Sequence, residues 1–182
     1  MKFISIDLEM NQPSGKVIEI GAVIMDTKTM SIVDTFQVYV NPGEPISQEI
    51  TDLTGITDCK VRNGVSALEG YNLLMDFHKR SNAFVNPVVW GSGESNDSLI
   101  LYKQAQPGSQ NGFGYRVMDC KTVYQALAAS RNLRLCCGLQ TAAKKIGIGW
   151  DETHGPPHRA LADAYNTARV WIELVMRQKR GG

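Results

Sequence analysis

Lys2-Phe3-Ile4-Ser5-Ile6-Asp7-Leu8-Glu9 sets Ile4, Ile6 and Leu8 in alternation with Phe3, Ser5, Asp7 and Glu9. A period of two is that of a β-strand, whose successive side chains emerge on opposite faces. Asp7 and Glu9 therefore share a face, about 6–7 Å apart along the strand. Two neighbouring carboxylates repel unless a proton or a cation separates them. A hard divalent ion such as Mg²⁺ or Mn²⁺ suits them, because it prefers oxygen ligands. The same pair also suits an exposed edge strand with its acids in water. The rest of the chain decides between the two.

A loop with Asn11, Pro13 and Gly15 follows, and a second strand covers about 17–25. The polar turn Asp26-Thr27-Lys28-Thr29 leads to a third strand over about 31–40, which makes an antiparallel hairpin. On it Ile32, Asp34, Phe36, Val38 and Val40 are expected to share a face. A short helix near 48–54 ends at Gly55. A longer one over about 66–80 carries Leu68, Tyr71, Leu74, Met75 and Phe77 or His78 at helical spacing. Val88-Val89-Trp90 reads as a short buried strand closed by Gly91-Ser92-Gly93. A helix then starts near Asn96 and runs to Gln104. Beyond the glycine-rich loop 106–114, a strand over 116–120 is followed by helices at about 121–130, 139–146 and 159–177. Three leading strands and then alternation of strand with helix indicate a three-layer α/β domain, a mixed sheet flanked by helices.

The 182 residues fit one domain, 1–182, with a core over about 2–178. The 43% hydrophobic and 20% charged content argues against disorder. With a net charge of +1, no global field attracts a polyanion. Cys59, Cys120, Cys136 and Cys137 form no CxxC pair, and reduced thiols in a cytoplasmic protein are expected. The strand at the N-terminus, with an acid at position 7, predicts no signal peptide. No apolar run approaches the ~20 residues that span a bilayer, so no membrane partner is expected.

Two further segments bear on the opening acids. Asp97 follows a strand and a glycine-rich turn and lies in the first turn of its helix, where an acid is also favourable against the helix dipole. Ser95 is a competent N-cap, so capping does not need Asp97. In His158-Arg159-Ala160-Leu161-Ala162-Asp163, Pro156-Pro157 delays the helix until at or just after the histidine. On one helix, residues five apart lie about 140° out of phase. His158 and Asp163 converge only if the histidine stays on the loop and Asp163 on the second turn. Beyond them Leu161, Tyr165, Ala168, Ile172 and Val175 form a core-facing stripe that leaves Asp163 off it. Four carboxylates can hold two divalent cations about a phosphodiester, and a histidine titrating near neutrality can take a proton from the attacking water. The chain carries no phosphate loop of the GxxxxGK[ST] type, no GxSxG, no GxGxxG after a strand and no HExxH.

In these segments the chain resembles the DEDDh 3′–5′ exonucleases of the DnaQ-like and RNase T-like superfamily, from Phe3 to about Trp171. The likeness rests on Ile6-Asp7-Leu8-Glu9-Met10, Val17-Ile18-Glu19-Ile20-Gly21-Ala22-Val23, Ile50-Thr51-Asp52-Leu53-Thr54-Gly55-Ile56-Thr57, Trp90-Gly91-Ser92-Gly93-Glu94-Ser95-Asn96-Asp97, and His158 with Asp163. The Trp-Gly-x-Gly form looks closest to phage or prophage exonucleases. Asn96 stands where relatives often carry Phe.

The resemblance implies an RNase H-like fold, a mixed five-stranded sheet with the first strand central. Asp7, Glu9, Asp97 and Asp163 would hold two divalent cations, Mg²⁺ or Mn²⁺, and His158 would be the general base. Single-stranded 3′ ends would be hydrolysed to nucleoside 5′-monophosphates. Met10, Leu53, Thr54 and Ile56 would meet the terminal nucleotide. Lys16 and Arg159 are candidate phosphate contacts, followed by Lys144, Lys145, Arg131 and Arg134. Trp90 reads as a core residue at a strand end rather than a stacking platform. A homodimer and a replication or repair partner stay open, as does DNA against RNA. The alternatives are a structure-specific endonuclease of the same fold, or a catalytically silent nucleic-acid-binding or polymerase-associated module. All five catalytic positions being filled weighs against silence.

Overall fold

The alternation in the first strand divides its side chains between two cores. The computed structural model of the chain describes residues 1–91, 96–130 and 137–180. In chain order the elements are β1 (Lys2–Met10), β2 (Val17–Asp26), β3 (Ser31–Tyr39), α1 (Gln48–Thr54), α2 (Asp58–Val61), α3 (Ala67–Ser81), β4 (Val88–Val89), α4 (Asp97–Ala105), β5 (Met118–Asp119), α5 (Cys120–Ser130), α6 (Leu139–Lys145) and α7 (Ala160–Arg180). They form a five-stranded mixed sheet in the order β3-β2-β1-β4-β5. The β1–β2 and β2–β3 pairs are antiparallel, and β1–β4 and β4–β5 are parallel. This is the expected three-layer, RNase H-like arrangement with β1 central.

Ile4, Ile6 and Leu8 pack with Ile20, Ile24, Leu74, Phe77 and Leu101 on the face covered by α3 and α4. The other face carries Val23 and Met25 against Tyr124, Leu139, Ala142, Ala164 and Ala168, the layer of α5, α6 and α7. Asp7 and Glu9 alternate with the first set and lie on the α7 side. Apolar side chains on both faces of a central strand rule out the exposed edge-strand reading.

Three local expectations are corrected. A register shift between Ile24 and Met25, where Ile24 pairs with Asp34 but Met25 pairs with Ile32, breaks the period of β3. Ile32 therefore joins the α7-side core while Phe36 and Val38 join the other. On α3, Leu68 is 43% exposed. Gly70 faces the sheet, since a Cβ there would fall 2.8 Å from Ile20 Cδ1. Leu68, about 200° away around the helix, turns outward. The fifth strand is only Met118–Asp119, and Cys120 already begins α5.

Of the cysteines, Cys59, Cys120 and Cys137 are free, and Cys136 lies outside the described residues. Among the described residues no helix is long and apolar enough to cross a membrane.

Candidate active site

The site grows from the register of two strands. Asp7 pairs with Gly21 and Glu9 with Glu19, so all four point toward α7. Gly21 is the point of contact. A Cβ built on it would lie 2.1 Å from Ala160 C, 2.2 Å from Leu161 N and 2.3 Å from Ala160 O, all backbone atoms. Only a residue without a side chain lets the first turn of α7 rest on the sheet. That turn brings Asp163 in. One carboxylate oxygen each from Asp7, Glu9 and Asp163 lies within 4.8 Å of the others.

The three acids are partly buried and, among the described residues, none is in an ion pair with a side-chain cation. Burial raises the Asp7 carboxyl well above its usual range, and the charges of Asp97, Asp163, Glu9 and Glu19 add to the rise. Glu9 is pushed up to about 8 by burial and then by Asp163, Glu19 and Asp97, against a weaker pull from Arg159. Asp163 is raised by burial, a rise opposed by the His158 backbone N–H and the His158 charge. Asp97 is pushed up to about 7 by burial. It is outside the three-oxygen cluster, yet its charge is the largest acting on Asp7. Such a set holds protons when empty and carboxylates when a cation neutralises it. All-oxygen donors and no competing ion pair fit hard divalent cations.

Asn96 takes the position at which Ser95 had been expected to cap. Its Oδ1 accepts the Leu99 N–H at 3.0 Å and the Ser98 hydroxyl at 2.6 Å. Where relatives often carry Phe, this chain thus has the N-cap that starts α4 at Asp97. Ser95 itself lies outside the described residues.

His158 stays on the loop, as its prolines require, with φ 62° in the left-handed region. Its backbone N–H donates to Asp163 Oδ2 at 2.8 Å. The Asp163 N–H in turn reaches the Arg159 carbonyl at 2.9 Å, so Asp163 closes the first turn of α7 rather than sitting on the second. His158 is exposed and, with Asp7, Glu9, Asp163, Trp90 and Thr141, lines a cleft of about 460 Å³. Trp90 packs on Tyr124 with ring centroids 6.1 Å apart and also forms part of the cleft wall, so it is more than a core residue.

The structure places several expected substrate contacts away from the cleft or in the core. Arg159 faces Glu19, not the cleft: Nε donates to Oε2 at 3.2 Å and Nη2 to Oε1 at 2.6 Å. Lys16 pairs with Glu44 at 2.8 Å and donates to the Pro42 carbonyl at 3.0 Å, which ties together two loops. Thr54 is buried, its hydroxyl donating to the Ile50 carbonyl and accepting the Ile56 N–H. Ile56 is fully buried beside Ile18 and Ile50. Both side chains are turned inward. Leu53, 50% exposed, and the half-buried Met10 remain available. Lys144 and Lys145 are exposed on the last turn of α6 and are not among the residues lining the cleft. Arg131 and Arg134 lie outside the described residues.

Glu19 is the residue whose role sequence reasoning missed. It is the one charge in the apolar run Val17–Val23, and a fully buried carboxylate requires a partner. That requirement was the available signal.

Fold and site together define a nuclease of the carboxylate, RNase H-like class. The family model described as Exonuclease (RNase_T) matches residues 4–171, and the chain belongs to this family of exonucleases, hydrolases that depend on divalent metal. It is 38% identical over 180 residues to a DNA polymerase III PolC-type of Caldanaerobacter subterraneus subsp. tengcongensis, covering 96% of this chain and 12% of that protein. A PolC-type polymerase of Pediococcus pentosaceus is 26% identical over 172 residues, covering 93% and 11%. The chain thus spans about a tenth of these relatives. In fold it is similar to the nuclease domain of 3′hExo, a DEDDh family member, bound to rAMP, with TM-score 0.76 and 22% identity over 97% of this chain and 92% of that one. Cell-death related nuclease 4 gives a TM-score of 0.82 at 13% identity, covering 97% and 64%.

Proposed function

We propose that this protein trims single-stranded nucleic acid from its 3′ end, hydrolysing the terminal phosphodiester and releasing nucleoside 5′-monophosphates. The observation that carries the reading is the convergence of Asp7, Glu9 and Asp163 within 4.8 Å, beside a histidine on the rim of the same cleft. Asp7, Glu9 and Asp163, with Asp97, whose charge acts on Asp7, would hold two ions, Mg²⁺ or Mn²⁺. Bound divalent ions supply the positive charge that phosphate and developing oxyanions require.

The chain's own residues divide the rest of the work. His158, exposed and with no side-chain hydrogen bond among the described residues, accepts the proton of the attacking water. Asp163 fixes the backbone of that histidine through Oδ2. Trp90 and Thr141 wall the cleft. Leu53 and Met10 are apolar surfaces for the terminal base and sugar. A 3′-end polarity is supported by the likeness to solved 3′-exonucleases, and replication as setting by the DNA polymerase III relatives. Solved neighbours include Exonuclease X with 5′ overhanging duplex DNA and a 3′-exonuclease recognising a histone mRNA stem-loop. The test therefore carries both polymers.

Matched 5′-labelled DNA and RNA oligonucleotides are incubated with Mg²⁺ or Mn²⁺, with EDTA and Asp7→Ala as controls. A ladder shortening from the 3′ end is the expected result, and the faster ladder names the polymer. Discrete internal cuts would replace the exonuclease with an endonuclease. Intact oligonucleotides throughout would leave a binding module.

A further inference from the structure

Resting on the exonuclease reading, we infer that Arg159 and Glu19 form a positioning clamp that aims His158 into the cleft, and that Arg159 does not bind substrate phosphate. An arginine next to the catalytic histidine invites the phosphate role. Its surroundings deny it. The Arg159 side chain is only 16% exposed, and that of Glu19 is 0% exposed. Nε and Nη2 are both spent on Glu19, and Nη2 also donates to the Tyr39 hydroxyl at 2.5 Å. The guanidinium lies 5.7 Å from the centre of the Tyr39 ring.

Glu19 is equally engaged. Oε1 accepts from Arg159 and from the Gln37 amide, and Oε2 accepts from Arg159 Nε and from the Ala160 backbone N–H at 2.9 Å. One rigid strand residue thus holds both residues that follow His158. On its other side, the His158 N–H is held by Asp163. A non-glycine residue with φ 62° persists only where its neighbours over-determine it. Here the over-determination comes from β2, and its effect is the direction of one imidazole. Arg suits the clamp because a planar fork meets both carboxylate oxygens at once, which the single ammonium of Lys cannot do.

The test uses the full chain and the variants Arg159→Gln, Arg159→Lys and His158→Ala, singly and combined, with steady-state kinetics on the preferred oligonucleotide. Arg159→Gln is expected to lower kcat about 10–100-fold, the scale of a misplaced catalytic group, with KM within about threefold. Arg159→Lys should fall between it and wild type. In the His158→Ala background, Arg159→Gln should lower kcat by no more than about threefold, because the group it positions is gone. A raised KM with kcat unchanged would restore the phosphate contact. Equal losses with and without His158 would make the pair a general support of the fold.

A readout apart from turnover is the His158 imidazole resonance in metal-free, ¹³C-histidine-labelled protein, assigned by its disappearance in His158→Ala. It should shift or split in Arg159→Lys, which keeps the charge and the fold. No change in that resonance overturns the clamp whatever the rates. An inactive wild type, or full activity in His158→Ala, would instead overturn the exonuclease reading while the resonance still judges the clamp.

Discussion

Gly21→Ala is the smallest change that should move the whole catalytic face. The added methyl would meet Ala160 C at 2.1 Å, whereas ordinary contact begins at 3.4 Å. The first turn of α7 must therefore retreat by about 1.3 Å, because the obstructing atoms are backbone and cannot swing aside as a side chain would. Two consequences follow from the geometry. The Ala160 N–H to Glu19 bond, now 2.9 Å, stretches beyond hydrogen-bonding reach. Asp163 moves with the turn, away from Asp7 and Glu9. Overpacking of this kind costs about 1–3 kcal/mol, and a lost hydrogen bond to a buried charge about 1.5–3 kcal/mol. A loss of about 4 kcal/mol in a chain of this size lowers Tm by about 10 °C. The turnover loss should be about 100-fold, the effect of an ångström of misplacement. Thermal melts followed by circular dichroism, and kinetics well below the lowered Tm, would measure both. Gly43→Ala is the control, since Gly43 has φ 69° but nothing within 4 Å of a new Cβ. It should lose about 1 kcal/mol and no activity. A Gly21→Ala protein with Tm within 2 °C or so of wild type and unchanged kcat would refute the close approach that seats the site.

Three further outcomes follow from the same geometry. Asp7→Asn should abolish cleavage yet raise the metal-free Tm at pH 8, because it removes an acid that burial and the charges of Asp97, Asp163 and Glu9 oblige the folded state to hold protonated or to bear at a cost; a lower Tm would contradict that cost. The metal-free protein should lose stability as pH rises from 5.5 to 8. Glu9 titrates at about 8 when folded and near 4.5 unfolded, so across that interval the folded state keeps a proton that the unfolded state has released. The full shift corresponds to about 5 kcal/mol, and the open cleft screens it to about half; added Mn²⁺ should therefore raise Tm more at pH 8 than at 5.5, and a flat or rising metal-free profile would contradict the shift. Leu53→Ala should raise KM for short oligonucleotides by about 3–10-fold with Tm unchanged, as expected for one apolar side chain's contact with a ligand. An unaltered KM would remove Leu53 from the binding surface.

The legible parts of the sequence were those governed by a local period. The alternation of residues 2–9 placed Asp7 and Glu9 on one face, and Pro156-Pro157 kept His158 out of the helix. The fold order followed from a hairpin succeeded by alternating strands and helices. What stayed hidden was set by contacts across the sheet. The shift at Ile24/Met25 sends Ile32 to the other core, and no period within β3 announces it. Thr54 and Ile56 look available beside Leu53 in sequence, but the Thr54 hydroxyl is tied to the Ile50 carbonyl and Ile56, just past α1, is buried with Ile18 and Ile50. The ion pairs of Arg159 and Lys16 stayed hidden for one reason. A cation seen without its partner resembles a phosphate ligand, and the partners Glu19 and Glu44 lie far along the chain.

The pair of Glu9 and Glu19 shows how one sheet gives two identical side chains opposite duties. They face each other across antiparallel strands, an arrangement in which like charges are unfavourable. Glu19 is wholly buried and has its charge met by Arg159, with further hydrogen bonds from Gln37 and Ala160. Those bonds fill both oxygens, so it has nothing left to offer an ion. Glu9 receives no such partner and feels Glu19 as a repulsion that helps push it up to about 8. The acid that is denied a cation by the fold is therefore the one that gains most from binding one. Supplying Arg159 to Glu19 alone fixes the support of α7 and leaves the ligand site unsatisfied, and that unsatisfied state is what a divalent ion, together with a phosphate, can relieve.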